Sequence, residues 1–589
     1  MDKNTLLAVV LSGAIMVGWY AMFPPPDPPP REIVNTVDQE YTDRTKNSVR
    51  QESTELNVQD STLSSTVPSS SIKDVDSSLP SKEVTIETEN YRLVIDTKGG
   101  IAKSLQLKHY KHTKPRLTLS TWFPFLTSFI GPDYLDEVTE DNRVEMFGNH
   151  LEGVPAFAQE FKGDAKTTEM FRNTVFSASE DQVVVEEGRL NTKLTLTSPI
   201  VNGLQMVKIF EANPDSYILN YRIQLINRSN DVRPLEVLYF FGEQRLSDNG
   251  GGMQQVSHEG PVFFFDESLQ TESTENIENE LPVTQMKWLG VEDQYFIGAA
   301  VPMTPVKNGF FRAGSYISEP QANQLGERKL SPYFGVALPK TNIQPNLFVE
   351  SDFRMFYGPK EDLELLKFGH NLEMSHDMTL EILAAPLLDL LRLIYGYVGN
   401  YGVAIIILTI IVRVVLFPLT FKGMKSMKRM QQLTPKMKKL QEKYKKNKEK
   451  LNKEMMELYR KNKVNPLGGC LPMLLQIPVF FALYSSLSSA VELRHAPFIF
   501  WISDLSQPDG LGITPLLMGA SMFIQQKMTP QTAMMDPTQA KIMQMLPFIF
   551  TIFTFTFPSG LTLYWVTSNI LSIAQQQIIN RIKTPELQN

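Results

Sequence analysis

Val403-Ala404-Ile405-Ile406-Ile407-Leu408-Thr409-Ile410-Ile411-Val412-Arg413-Val414-Val415-Leu416-Phe417 is one of the most hydrophobic stretches of the chain, and it carries a single arginine. A cation at the centre of a membrane helix costs roughly 2.5–3.5 kcal/mol on insertion scales, and each Leu, Ile, Val or Phe returns about 0.3–0.6 kcal/mol. About a dozen such residues surround Arg413, so the segment still inserts. The arginine then needs water or a partner, and an ionisable residue so placed is a candidate functional group. Thr409 precedes it by one helical turn and shares its face.

Charge is spread unevenly around this stretch. The 589 residues carry a net charge of -7, yet residues 421–463 hold about 16 Lys/Arg against about 4 Asp/Glu, and residues 24–388 carry about 20 net negative charges. Such asymmetry in one molecule points to two compartments. The length allows more than one domain. The one cysteine, Cys470, rules out an intramolecular disulfide, so an exported domain must rest on core packing alone.

Residues 5–23 form an apolar run of about 19 residues, enough for a bilayer core of roughly 30 Å. The weakly charged start and the lack of an Ala-x-Ala site before Pro24 favour an uncleaved signal anchor over a cleaved signal peptide. Residues 24–82, rich in Pro, Ser, Thr and Asp, read as a disordered linker. From residue 83 the pattern changes to period two: Val84-Thr85-Ile86-Glu87-Thr88, Tyr91-Arg92-Leu93-Val94-Ile95 and residues 182–186, 194–197 and 217–226, with a turn at Lys98-Gly99-Gly100. A large antiparallel β-sandwich follows from this. Helical periodicity returns at residues 362–370 and 381–398. The second is apolar with Asp389 and Arg392 on its polar side, which suits a helix lying on a membrane surface.

Five apolar segments follow, at about residues 399–421, 467–489, 511–525, 542–557 and 561–579, with Pro558-Ser559-Gly560 as a turn between the last two. The third and fourth have only about 15–16 residues, so they either span a thinned bilayer or are re-entrant or core helices. The lysine-rich loop marks the cytoplasmic side, and six spans then place both termini there and the β domain outside. Within that loop Met424, Met427, Met430, Leu433, Met437, Leu440 and Tyr444 recur at steps of three and four residues. Thr434-Pro435 predicts a helix restart, Lys446-Asn447-Lys448 a turn, and Leu451, Met455 and Leu458 a returning helix. The methionines serve either as soft packing or as an adaptable surface for apolar partners, and the basic loop either as topology signal and lipid contact or as a docking site.

If the second span runs inward, Arg413 lies about eight residues from its inner end at Phe421, roughly 12 Å into the inner leaflet. The five later spans contain no Asp or Glu, so no intramembrane ion pair is available. Gln476, Gln525, Gln526, Ser568, Asn569, Ser572, Gln575 and Gln576 supply polar groups, and Ser568, Ser572 and Gln575 or Gln576 fall on one stripe. A wetted cavity with arginine as its one fixed charge follows. Snorkelling, a bond to a neighbouring helix end and ordinary helix-packing glue are the plainer readings.

Thr409-Ile410-Ile411-Val412-Arg413 with Phe417-Pro418-Leu419-Thr420 resembles the second span of the YidC membrane protein insertases. Also similar are Asn465-Pro466-Leu467-Gly468-Gly469-Cys470-Leu471-Pro472, Glu492-Leu493-Arg494-His495-Ala496-Pro497-Phe498, Phe557-Pro558-Ser559-Gly560-Leu561 and Gln575-Gln576-Gln577. The likeness runs in order from Tyr357-Gly358-Pro359-Lys360 to Asn580. The preceding anchor, linker and β domain resemble the Gram-negative form. The resemblance implies a polytopic α-helical membrane protein of six spans, with a five-helix insertase core, a periplasmic all-β supersandwich domain and a cytoplasmic helical hairpin.

On that reading the domains are the anchor 1–23, linker 24–82, β domain 83–380, interfacial helix 381–398, spans 399–421, 467–489, 511–527, 542–557 and 561–580, hairpin 422–465 and periplasmic loop 490–510. The resemblance implies a hydrophilic groove, open to cytoplasm and lipid, in which Arg413, Thr409, Trp565 and Gln526 meet a nascent chain, and a hairpin, with Met424, Met427, Met430 and Met437, that captures it first. Tyr564-Trp565 stands where some members carry two tyrosines, which leaves the aromatic hydroxyl non-essential. The implied partners are nascent membrane proteins, the lipid bilayer, the Sec translocon and, transiently, the ribosome, with no other nucleic acid and no cofactor. The short tail 581–589 is not strongly basic, unlike the ribosome-binding tails of some relatives. A transporter predicts paired membrane charges or internal repeats, a voltage sensor arginine at every third position, and a periplasmic sugar enzyme a catalytic pair among residues such as His109, His112 and His258. The sequence displays none of these patterns.

Overall fold

A computed structural model of the chain describes residues 80–111, 143–147, 155–186, 192–243, 258–265, 267–271, 278–282, 286–303, 310–317, 330–376, 378, 380–444, 447–462, 471–528 and 537–582. The expected anchor and all but the end of the expected linker lie outside the described residues.

Period-two alternation does become strand. Val84 and Ile86 face inward opposite Ile95 and Leu93, in antiparallel register between Glu83–Glu87 and Tyr91–Asp96. These belong to a five-stranded sheet ordered Arg143–Glu145, Ile101–Lys111, Tyr91–Asp96, Glu83–Glu87 and Gln182–Val184, the last pair parallel. A nine-stranded sheet carries Ile218–Asn227 between Phe348–Pro359 and Leu204–Ala212, with Ile218 opposite Phe356 and Leu219 opposite Ala212. A second five-stranded sheet runs Glu278–Pro282, Phe310–Ile317, Leu330–Ala337, Val237–Glu243 and Gln159–Phe161. One apolar core joins all three, and aromatic rings fill its centre: Phe210 lies 4.9 Å from Tyr221, and Phe241 4.7 Å from Phe353. Each such buried ring contributes about 1.5–3 kcal/mol.

A buried cation ties two loops to this sandwich. Lys208 Nζ donates to the carbonyls of Gly99 and Gly100, each at 2.9 Å, and of Phe157 at 2.8 Å. Burial pushes its ammonium down to about 7, while three carbonyl oxygens favour the proton. Gly99 and Gly100 both take positive φ, as the turn requires.

Nine helices are described: α1 Ala165–Asn173, α2 Asp362–Phe368, α3 Glu381–Val398, α4 Tyr401–Lys443, α5 Lys448–Lys461, α6 Leu471–Ser489, α7 Ile513–Met528, α8 Pro537–Thr554 and α9 Ser559–Arg581. The second core, with Leu388 and Leu391 of α3, Ile405 and Leu408 of α4, Leu483 and Leu487 of α6 and Leu561 of α9, binds the helical part together. Thus α3 is not a lone surface helix: one face is buried, and Ser486 Oγ of α6 donates to its Ala384 carbonyl at 2.8 Å. Its other face exposes Ile382, Leu393 and Tyr397. The β domain meets this bundle through polar contacts. Arg392 Nη1 donates to Asp362 Oδ2 and its Nε to Glu492 Oε1, both at 2.7 Å, and Gln294 Nε2 donates to the Ser488 carbonyl at 2.7 Å.

Two sequence expectations are corrected here. Helix α4 does not restart at Thr434-Pro435 but runs unbroken through Pro418 and Pro435. Met430, Leu433 and Met437 form one buried stripe against Met455 and Tyr459 of α5, and a restart would break it. That packing overrides the roughly 3 kcal/mol proline penalty. The second correction concerns the final turn, which lies before Ser559. Ser559 and Gly560 already open α9, their N–H groups bonded to the carbonyls of Gln507 at 2.8 Å and Leu505 at 2.9 Å. Lys446 of the turn expected at Lys446-Asn447-Lys448 lies outside the described residues, while Asn447 Oδ1 caps α5 by accepting from Lys450 N–H at 3.0 Å.

Among the described residues α4 is the one helix both long and apolar enough to cross a membrane by length and composition, and the apolar stretch Gln544–Thr554 is shorter. The physical reason is visible in the other helices. α7 has 16 residues, and α9 carries Thr562, Ser568, Asn569, Ser572 and Gln576 on its buried side, which lowers its mean hydropathy.

Candidate functional site

Helical spacing decides which side chains of α4 share a cavity. Thr409, Val412, Arg413, Leu416 and Thr420 follow at steps of three and four, so they line one face. With Gln476 and Val479 of α6 and Tyr564 of α9 they line a small, partly open cavity. Arg413 is the one charged residue among those eight.

The guanidinium is met by neutral groups. Arg413 Nη2 donates to Gln476 Oε1 at 3.2 Å and to Ser568 Oγ, and Gln476 Nε2 donates to the same hydroxyl at 3.1 Å. The arginine is half-buried, so some of its hydrogen-bonding capacity faces the cavity. Thr409 is buried, and its hydroxyl donates to the Ile405 carbonyl at 2.6 Å, which uses its one donor and leaves it as an acceptor. The arrangement offers a fixed positive charge with hydrogen-bond donors in an otherwise apolar wall. It can hold an anionic or strongly polar group without covalent chemistry.

The expected site residues are not all gathered there. Thr409 and Arg413 share the cavity. The Trp565 ring packs on Phe480 at 4.8 Å and Phe550 at 5.7 Å, and Tyr564 is the member of the pair that lines the cavity. Gln526 is half-buried on α7, outside the lining set. Met424, Met430 and Met437 are buried, the last two inside the hairpin core, and the side chain of Met427 lies outside the described residues. Met456 is the exposed methionine of α5.

Gln476 and Ser568 were visible in the sequence as polar residues of apolar helices, but their convergence on Arg413 required the fold. Tyr564 carried a usable signal, since it precedes Ser568 by one turn. Other polar residues of the helices bond nearby: Asn569 Nδ2 donates to Ser521 Oγ at 3.0 Å, Thr562 Oγ1 to Thr514 Oγ1 at 3.1 Å, and Ser572 Oγ to the Ser568 carbonyl at 2.9 Å. The first two link α7 to α9, the interhelical role expected of small polar residues in membranes. Among the described residues no group of His, Cys, Asp and Glu is arranged to hold a metal ion.

Comparison with known proteins agrees with this architecture. The family described as 60Kd inner membrane protein matches residues 393–586, and the YidC periplasmic domain matches residues 132–390. The chain is 37% identical over 602 residues to the membrane protein insertase YidC of Pelobacter propionicus, covering 99% of both chains. It is 35% identical over 590 residues to that of Syntrophus aciditrophicus, covering 99% of this chain and 100% of the relative. Among solved structures it is similar to an active YidC insertase crystal structure with the first transmembrane domain resolved, at 16% identity and a TM-score of 0.35, covering 84% of this chain and 92% of the other. The chain belongs to the YidC family of membrane protein insertases.

Proposed function

We propose that insertion of nascent inner-membrane proteins by this chain proceeds through the cavity around Arg413. The carrying observation is a lone guanidinium held by Gln476 and Ser568, with no carboxylate among the residues that line the cavity. A polar or acidic segment of a client binds there transiently, and its apolar segment partitions into lipid. Burial of about 20 apolar residues drives the second step. Thr409 is a further groove residue, and Gln526 and Trp565 flank the path taken by the client. The expected topology accompanies this reading: six spans, both termini in the cytoplasm, the β domain in the periplasm and the hairpin of α4 and α5 in the cytoplasm. The Sec translocon and a transient ribosome contact are its further partners.

Capture by the hairpin requires an opening step. Met430 and Met437 are buried against Met455 and Tyr459, so they meet a client once the two arms part, while Met424 lies one helical turn beyond the cavity residue Thr420. Site-specific photo-crosslinkers at Val412 and Leu416, aimed at a stalled nascent chain, test the proposal. Adducts to the client's translocated segment are the expected result. Absence of adducts at both positions, with adducts elsewhere on the chain, would refute it.

A further inference from the structure

The loop between α6 and α7 closes over the outer end of α4. Asn400 Nδ2 donates to the carbonyls of Pro497 at 3.3 Å and Phe498 at 3.2 Å, while its Oδ1 caps α4 by accepting from Val403 N–H at 3.0 Å. The Phe498 ring lies so close to Gly402 that an added Cβ would come within 2.1 Å of it. Beyond Phe498 the chain makes a compact turn, with Phe498 N–H to the Ile502 carbonyl at 3.0 Å, Ile502 N–H to Ile499 at 3.2 Å and Leu505 N–H to Ala496 at 3.0 Å. Trp501 is pinned by its indole N–H on Asp509 Oδ2 at 3.0 Å.

That braced turn holds Phe500 outward. The residue is 90% exposed and takes φ +54, a region that a bulky aromatic rarely adopts. Ile499 beside it is exposed too, and so are Tyr397 and Val398 at the adjoining end of α3. A wholly wetted phenyl ring on a rigid turn is a poor arrangement in water, and a suitable one in the interfacial zone of a bilayer.

Depth agrees. The 20 residues of α4 from Tyr401 to Thr420 cover about 30 Å, the hydrocarbon thickness, so Asn400 marks its outer boundary. Phe500 follows Phe498 by two residues and so lies within about 7 Å of it, the Phe498 carbonyl meets Asn400 at that boundary, and the headgroup zone is roughly 5–8 Å deep on each side. We infer that the Ile499-Phe500 tip is a membrane-interface anchor that seats its apolar side chains at the headgroup–acyl boundary of the outer leaflet, fixing the height of the bundle in the bilayer. This rests on the reading of α4 as a membrane span.

The test uses the full chain in phospholipid vesicles, with Cys470→Ser to clear the one native thiol and NBD attached at Phe500→Cys or, separately, at Val415→Cys. Val415 is 71% exposed on α4, about 7 Å from the midpoint of that 20-residue span, and reports spanning alone. At Phe500→Cys the expected result is several-fold stronger quenching by a nitroxide near the headgroup than by one deep in the acyl chain, with little quenching by iodide. Iodide quenching without lipid quenching there would overturn the anchor, and so would protection from both, which would place a protein over the tip. If the Val415→Cys probe is not quenched by the deep nitroxide, the spanning reading itself fails; if it is quenched, a negative result at Phe500→Cys counts against the anchor alone.

Discussion

Arg413 Nη2 lies 3.2 Å from Gln476 Oε1, so this charge is braced by a neutral amide of α6 and left electrically uncompensated by the cavity wall. A carboxylate entering the cavity to about 4 Å gains about 4 kcal/mol at an effective dielectric of about 20. If only a third of that survives desolvation, occupancy still changes about tenfold. Arg413→Ala should therefore lower insertion of clients with acidic translocated segments about tenfold, measured in reconstituted vesicles. Arg413→Lys keeps the charge but not the fork to Gln476 and Ser568, and should fall between the two. Wild-type activity of the alanine variant on such clients would remove the charge from the mechanism.

Lys208 supports a different prediction. Substitution by methionine retains most of the apolar stem but leaves the carbonyls of Gly99, Gly100 and Phe157 without their donor. Each buried unsatisfied group costs about 1–3 kcal/mol, so Lys208→Met should weaken the β domain by on the order of 3 kcal/mol or more. Hydrogen exchange of the full chain checks this: Gly99, whose N–H bonds the Thr174 carbonyl at 2.7 Å, and Phe157, bonded to Phe240 at 2.8 Å, should exchange faster. Unchanged protection there would show that these loops do not depend on the lysine.

The hairpin core is small: Met430, Leu433, Met437, Met455 and Tyr459, with Leu440, Leu451 and Leu458 at its edge. Removing a buried leucine costs about 2–5 kcal/mol, comparable to all that so small a core supplies. Leu433→Ala should free α5 from α4, raising exchange throughout Lys448–Lys461 while Tyr401–Thr420 stays protected. If parting of the arms admits clients, a disulfide between the arms should suppress crosslinks from Met430 and Met437 and reduction should restore them. Crosslinks undiminished by the closed staple would exclude capture by that buried face.

Much of this was legible in the chain because local periodicity had no competitor. Val84, Ile86, Leu93 and Ile95 alternate, and they pair across one ladder as alternation demands. Thr409 and Arg413 share a face because they are one turn apart, and they do line one cavity. Long-range choices were not legible. Nothing local tells that Tyr564, and not Trp565, turns toward Arg413, since adjacent aromatics point about 100° apart on a helix and either orientation preserves the apolar seam. Thr434-Pro435 carries a true start signal, yet the stripe Met430, Leu433 and Met437 runs across it, and tertiary packing prevails over capping chemistry. The three acceptors of Lys208 lie 51 to 109 residues away, beyond any sequence window.

The contact of Arg392 with Asp362 supports a prediction about acid. Burial alone would raise the Asp362 carboxyl, but the hydrogen bond from His376, 2.6 Å away, and the Arg392 guanidinium more than offset it and hold the carboxyl down at about 2. A carboxyl lowered from 3.8 in the unfolded chain to about 2 in the folded one stabilises the junction fully above pH about 4 and loses that contribution as pH falls toward 2. The purified chain should thus lose stability in that acid window through this group. Asp362→Asn should be less stable near neutral pH, because Arg392 is left with Glu492 and the more exposed Asp389, and its stability should fall less steeply between pH 4 and 2. Denaturation midpoints of the two proteins across pH 2–7 decide it. Parallel curves would mean that the bond between the periplasmic domain and α3 does not carry the acid sensitivity, whereas curves converging at low pH would assign that sensitivity to Asp362.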